Sequence, residues 1–147
     1  MNEQRDNRKE MSGLLSDIQA ANEEIQQQLR PYVQEHRYIY PLFQRLAALT
    51  EELGEHVAAL LGGPLERNEA KYHLSVLFRT AEAMAETNEM LKAVGRFHPS
   101  VPLQALTYAL VQLVPTVAAA YGHYESVLIV TPRFQQLNRL WRHAEGG

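Results

Sequence analysis

The sequence predicts an all-α chain folded as an antiparallel helical bundle, and three observations predict it. Apolar residues recur every seventh position along most of the chain, the spacing that keeps one seam of a helix facing a neighbour. Strand-type alternation is missing: only "SVLIV" at 126–130 has β-like composition, and it is short enough to end a buried helix. Glycine and proline cluster between the periodic segments, where helices stop and start. At 147 residues the chain has the size of one domain. Four to five helices in a single unit over 1–147 are expected, residues 1–10 being a frayed, charged N-terminus.

The first segment carries the longest stripe. Met11, Ile18, Ile25, Tyr32, Ile39, Leu46, Leu53 and Leu60 stand seven apart and are all apolar. Four residues after each of the first seven come Leu15, Asn22, Leu29, His36, Phe43, Thr50 and Val57. The phase runs unbroken past Pro31 and Pro41, although a proline inside a helix removes a hydrogen bond and costs about 3 kcal/mol. The expectation is one long, kinked N-terminal helix, or collinear helices in phase. Straight, such a helix would span roughly 75 Å, more than a bundle of this size needs, so a second chain is expected to cover it.

"GGP" at 62–64 ends that segment, glycine suiting a helix C-cap and proline a first turn. The next stripe is Ala70, Leu74, Leu77, Ala81, Met84, Asn88 and Leu91, stopping near Gly95. "GRFHPSVP" reads as a loop. A third stripe, Leu103, Leu106, Leu110, Leu113, Val117, Ala120 and Tyr124, marks a helix with a kink expected at Pro115. No Asp, Glu, Lys or Arg occurs from Phe97 to Tyr124. Gln104, Gln112, Thr107, Thr116 and Pro115 are awkward in hydrocarbon, so the buried centre of a bundle is expected there rather than a membrane span. "TPRFQQLNRLWRH" starts a last helix, with Thr131 as N-cap and Phe134, Leu137, Trp141 and Ala144 on its apolar side.

Composition narrows the function. Apolar residues make up 46% and charged residues 21%, which fits a folded globule rather than a disordered chain. A formal charge of −3 gives no footprint for nucleic acid. Without cysteine there are no disulfides and no thiolate ligands. The charged start, with no signal-type apolar segment behind it, leads to an expected cytoplasmic location.

One cluster carries candidate chemistry. Glu51, Glu52, Glu55 and His56 precede the GGP turn, and Glu69 and His73 follow it. An antiparallel hairpin about Pro64 brings Glu55 level with His73 and His56 near Tyr72. Carboxylates and an imidazole on facing helices are how bundles build divalent sites. Helical phase weighs against this: relative to Leu53, Glu51 and Glu55 point away from the core, and Glu52 sits at its flank. A solvated face is therefore expected first, and a metal site of Glu52, Glu55, Glu51 and His73 second.

The stretch "LAALTEELGEHVAALLGG" resembles the first motif of the all-α, MazG-like nucleoside triphosphate pyrophosphohydrolases. Their E-E-x-x-E matches Glu51, Glu52 and Glu55 by spacing. The resemblance covers about forty residues and implies a helical, often dimeric enzyme using Mg²⁺ to release pyrophosphate. The second motif of that family, E-x-x-D, falls on "KYHLSVLF", where Tyr72 and Ser75 stand in place of the acids. The resemblance thus implies a relative without catalysis, or one holding Mg²⁺ or Mn²⁺ with help from His73.

Other residues suggest contacts. Asn22 and Asn88 interrupt apolar stripes, and Asn88 is expected to fix register by pairing across a helix interface. His36 reads as a hydrogen-bonded core histidine. Glu82, Glu86 and Glu89 form an acidic strip suited to a basic partner, and Arg133, Arg139 and Arg142 a basic edge suited to an acidic one. The function expected is a non-catalytic interaction protein without cofactor: an adaptor, regulator or chaperone. It would form a homo-oligomer, a dimer in the simplest case, through Ile18, Ile25, Leu29, Tyr32 and Ile39. The alternative is the metal-dependent nucleotide pyrophosphohydrolase.

Overall fold

The computed structural model describes residues 2–34, 37–93 and 100–121. Among these residues there are four helices: α1 (Asn2–Val33), α2 (Ile39–Leu61), α3 (Arg67–Ala93) and α4 (Ser100–Tyr121). No strand occurs among them. Residues 2–10, expected to fray, belong to α1. The expected C-terminal helix and "SVLIV" lie outside the described residues.

Each helix packs on its neighbours in the chain, and α1 closes the ring against α4. The α1–α4 and α2–α3 pairings are the most extensive, α1–α2 is smaller and α3–α4 smallest. Consecutive helices run antiparallel. Gln26 reaches Phe43 while Gln19, further back along α1, meets Gly54, further along α2.

The long stripe therefore does not lie along one rod. It folds back on itself between Val33 and Ile39. The two prolines explain where. Pro31 lies in the last turn of α1, and Pro41 is the third residue of α2, where a missing N–H leaves no intrahelical bond unmade. Pro41 thus costs α2 nothing, whereas Pro31 forgoes the bond to Gln27 O and weakens the last turn of α1; together they bracket the reversal. Met11, Ile18, Ile25, Ile39, Leu46, Leu53 and Leu60 are each at most 1% exposed. Burying one such side chain is worth about 1.5–3 kcal/mol. The cover that the stripe requires comes from this chain's own helices.

The second column of the stripe differs along its length. Leu14 and Ala21, three residues after the first column, are buried on α1, while Leu15 and Asn22 are half-buried. The reason is that α1 has two neighbours. Leu14 and Ala21 line its border with α4, and Leu15 faces Gly54 of α2. On α3 the predicted stripe is buried at all seven positions, and on α4 from Leu103 through Val117.

The α2–α3 turn needs one of its two glycines. Gly63 has φ +142°, a backbone that side chains with a Cβ rarely adopt. Pro64 lies in the turn itself, three residues before α3, and the amide of Ala70 closes the first α3 turn onto Glu66 O at 2.9 Å. Four buried threonines solve their polarity locally. Thr50, Thr87, Thr107 and Thr116 each donate to the carbonyl four residues back, which removes the cost of an unpaired buried hydroxyl.

Candidate functional site: polar contacts across the helix seams

The strongest grouping of titratable side chains lies where α2 meets α3, two to three turns from the Gly63 turn. His56 and His73 face each other with Nδ1 to Nδ1 at 2.9 Å. Their ring centres are 5.1 Å apart, so most of each ring radius lies along the line joining them. The nitrogens thus point directly at one another. One imidazole donates N–H and the other accepts, by complementary tautomers. Tyr72 packs edge-on to both rings, 5.8 Å from His56 and 5.3 Å from His73. The expected pairing is displaced by one residue: His56, rather than Glu55, stands opposite His73.

Electrostatics at this pair run in two directions. His56 is held below the usual histidine range, first by burial and then by His73; Glu52 and Glu55 oppose this. Both rings are half-buried, whereas Glu51, Glu52, Glu55 and Glu69 are exposed. Tyr72, at the position where the pyrophosphohydrolase motif has an acid, is 59% exposed and Ser75 is half-buried. Among the described residues, no three His, Asp or Glu side chains stand close enough to hold a metal ion together. The facing lone pair is engaged as well. A metal bridging two imidazoles sits about 2.0–2.1 Å from each nitrogen, and both lone pairs must then aim at a third point rather than at each other.

A second polar contact crosses the α3–α4 seam. Asn88 is fully buried; its Nδ2 donates to Leu103 O at 2.9 Å and to Thr107 Oγ1. The hydroxyl of Thr107 donates in turn to Leu103 O at 3.1 Å. This contact crosses the α3–α4 interface within one chain, at the position where the apolar stripe is interrupted. On the α1–α2 seam Gln26 Nε2 donates to Phe43 O at 3.0 Å and to Asn22 Oδ1 at 3.2 Å. Tyr121 completes the set: its hydroxyl donates to Leu60 O at 3.0 Å, satisfying a carbonyl that the end of α2 leaves without a partner in its own helix.

Of the expected association residues, Ile18, Ile25, Leu29 and Ile39 are at most 2% exposed, and Tyr32 falls in the last turn of α1. Glu82 is half-buried on α3, and Glu86 and Glu89 are exposed. His36, Arg133, Arg139 and Arg142 lie outside the described residues. Pro102–Tyr121 is long and apolar enough to cross a membrane by length and composition, yet 56% of that stretch is buried in the fold. An open groove of about 370 Å³ runs along α1 and α4, lined by Leu14, Ala21 and Ala109 with Asp17 and Glu24 at its α1 side.

Sequence spacing located His56, His73 and Asn88 but not their partners. Thr107 stands out in the sequence only as a polar residue in an apolar stretch, and Gln26 gives no signal, because it looks like an ordinary polar residue on an amphipathic helix. Comparison with family models, curated proteins and solved structures returned no match.

Proposed function

We propose that this chain is a non-catalytic helical-bundle interaction protein, and that two copies associate by trading α1. The supporting observation is the stripe. Positions 11, 18, 25, 39, 46, 53 and 60 keep one heptad phase across the reversal, and all are buried. A continuous α1–α2 helix, as in an exchanged pair, would use that phase as one seam. The connection between α1 and α2 is short, residues 34–38, and short connections favour exchange of identical elements between protomers. In the traded pair Ile18, Ile25, Leu29, Tyr32 and Ile39 meet the other copy, and each α1 buries the side chains it already buries. The paired bundle offers its outer faces, Glu82, Glu86 and Glu89 among them, to a basic protein partner.

Cross-linking tests this. The chain has no cysteine, so Gln19→Cys with Gly54→Cys labels the α1–α2 seam alone. A short bis-maleimide joins two chains if α1 is traded and closes a loop within one chain if it is not. The expected result is a covalent dimer, with a dimer mass by light scattering. A monomer mass at every concentration overturns self-association. A dimer mass with only intrachain links overturns the trade and moves the interface to another face.

A further inference from the structure

We propose that the groove between α1 and α4 is the docking site of this chain's own basic, amphipathic C-terminal segment, residues 131–144. The groove has room and the wrong charge to stand alone. Leu14 and Ala21 of α1 and Ala105 and Ala109 of α4 line it, and the short alanine side chains leave a depression of about 370 Å³ where the two helices meet. Its charged lining residues are Asp17 and Glu24, both exposed. Glu24 accepts a hydrogen bond from Gln28 Nε2 at 3.4 Å. No Lys or Arg occurs from Met11 to Leu29 or anywhere in α4, so the helices that form the groove supply no cation along it.

The segment is complementary in both respects. Phe134, Leu137 and Trp141 recur at helical spacing and carry the bulk that the alanines lack. Arg133, Arg139 and Arg142 bring positive charge, with no Asp or Glu from Ser126 to Ala144. The spacings agree as well. Phe134 and Trp141 stand seven apart, as do Asp17 and Glu24, about 10 Å along a helix. Helix α4 ends at Tyr121, and Gln112, the lining residue nearest that end, lies about 14 Å back along it. Residues 122–130 span up to about 30 Å, which lets the chain turn back and enter the groove from that end. The acidic strip on α3 is the competing surface, but Glu82 and Glu86 are already engaged in contacts of their own. Exposed ion pairs are worth little, so the apolar side chains hold the segment and the arginines orient it. The docking does not depend on the trade of α1, since in a traded pair the other copy's α1 brings the same residues to the groove.

The chain has one tryptophan, Trp141, and no cysteine, so fluorescence of the full chain reports on the segment directly. Trp141 is expected to emit to the blue in the native chain and to be quenched by acrylamide severalfold less than in urea. Ala105→Arg, at an exposed position of α4, fills the groove and repels the arginines; it should restore most of the quenching while helix content by circular dichroism is unchanged. Asp17→Lys with Glu24→Lys should restore part of it, and less in high salt. A nitroxide on Ala105→Cys should quench Trp141 of the same chain, and dilution with excess Trp141→Phe chains should not relieve it. Trp141 as open to acrylamide in the native chain as in urea overturns the proposal. Protection that survives Ala105→Arg does so too, because the segment then lies on another surface. Nitroxide quenching that is absent overturns it, and quenching lost on dilution gives the groove to a second copy instead. If Ala105→Arg does not fold, the nitroxide result decides.

Discussion

Two of the polar contacts that cross helix seams in this bundle are built differently. Between α3 and α4 the contact is Asn88, fully buried and tied to a backbone carbonyl and a threonine hydroxyl. Between α2 and α3 it is His56 with His73, half-buried and beside exposed carboxylates. An amide cannot change its charge, so the first contact is the same at every pH. An imidazole pair can, so the second is conditional. The difference teaches that burial and titratability together decide whether a polar group in a helix seam keeps one charge or can change it with pH.

The largest effect should come from giving the first contact a charge. Asn88→Asp places an unpaired carboxylate against the Leu103 carbonyl and is expected to cost about 3–5 kcal/mol, or to prevent folding, by urea denaturation. Asn88→Ala should cost about 2 kcal/mol, from two lost hydrogen bonds and a small cavity. That penalty should be the same at pH 7.5 and pH 5. Changing Asn88→Leu with Thr107→Val removes both partners at once, and stability should stay within about 1 kcal/mol.

The conditional contact should behave otherwise. His56→Gln is expected to cost about 1 kcal/mol at pH 7.5, the worth of one hydrogen bond, and less at pH 5. The sign follows from linkage. The folded value of His56 lies below its unfolded value, so the unfolded chain takes up the proton first as pH falls below about 6.5. The native chain loses stability through that window and the variant does not. The smallest effect tests the rim. Glu52→Gln should lower the titration of His56 further, since that carboxylate favours its proton, while stability moves by no more than about 0.5 kcal/mol.

The same comparison shows what was legible in the sequence. Helix faces were, because a period of seven depends only on local geometry: the α3 stripe from Ala70 to Leu91 is buried as spaced. Asn88 stood out because a polar residue in an apolar column has few places to go. The reversal between Val33 and Ile39 was not legible. A heptad continues in phase whether the chain runs straight or turns back, and two prolines ten residues apart mark a kink as readily as a turn. The histidine contact was half legible. Counting from Pro64 put His56 beside Tyr72, but a one-residue shift in hairpin register decides whether Glu55 or His56 meets His73, and turn geometry sets that register.

The pairing of α1 with α4 has a consequence for synthesis. Helices α2 and α3 are joined by residues 62–66, whereas α1 and α4 are the two ends of the described fold. Closing the longer loop costs more chain entropy, and contacts of that kind form late. On a ribosome moving at about 5–20 residues per second, α1 emerges roughly 4–18 seconds before α4 is complete. Through that interval the Leu14 and Ala21 edge of α1 has no α4 to cover it. Nascent chains on one message, close together and each with α1 waiting, are where a neighbouring copy would most readily take the place that α4 later fills.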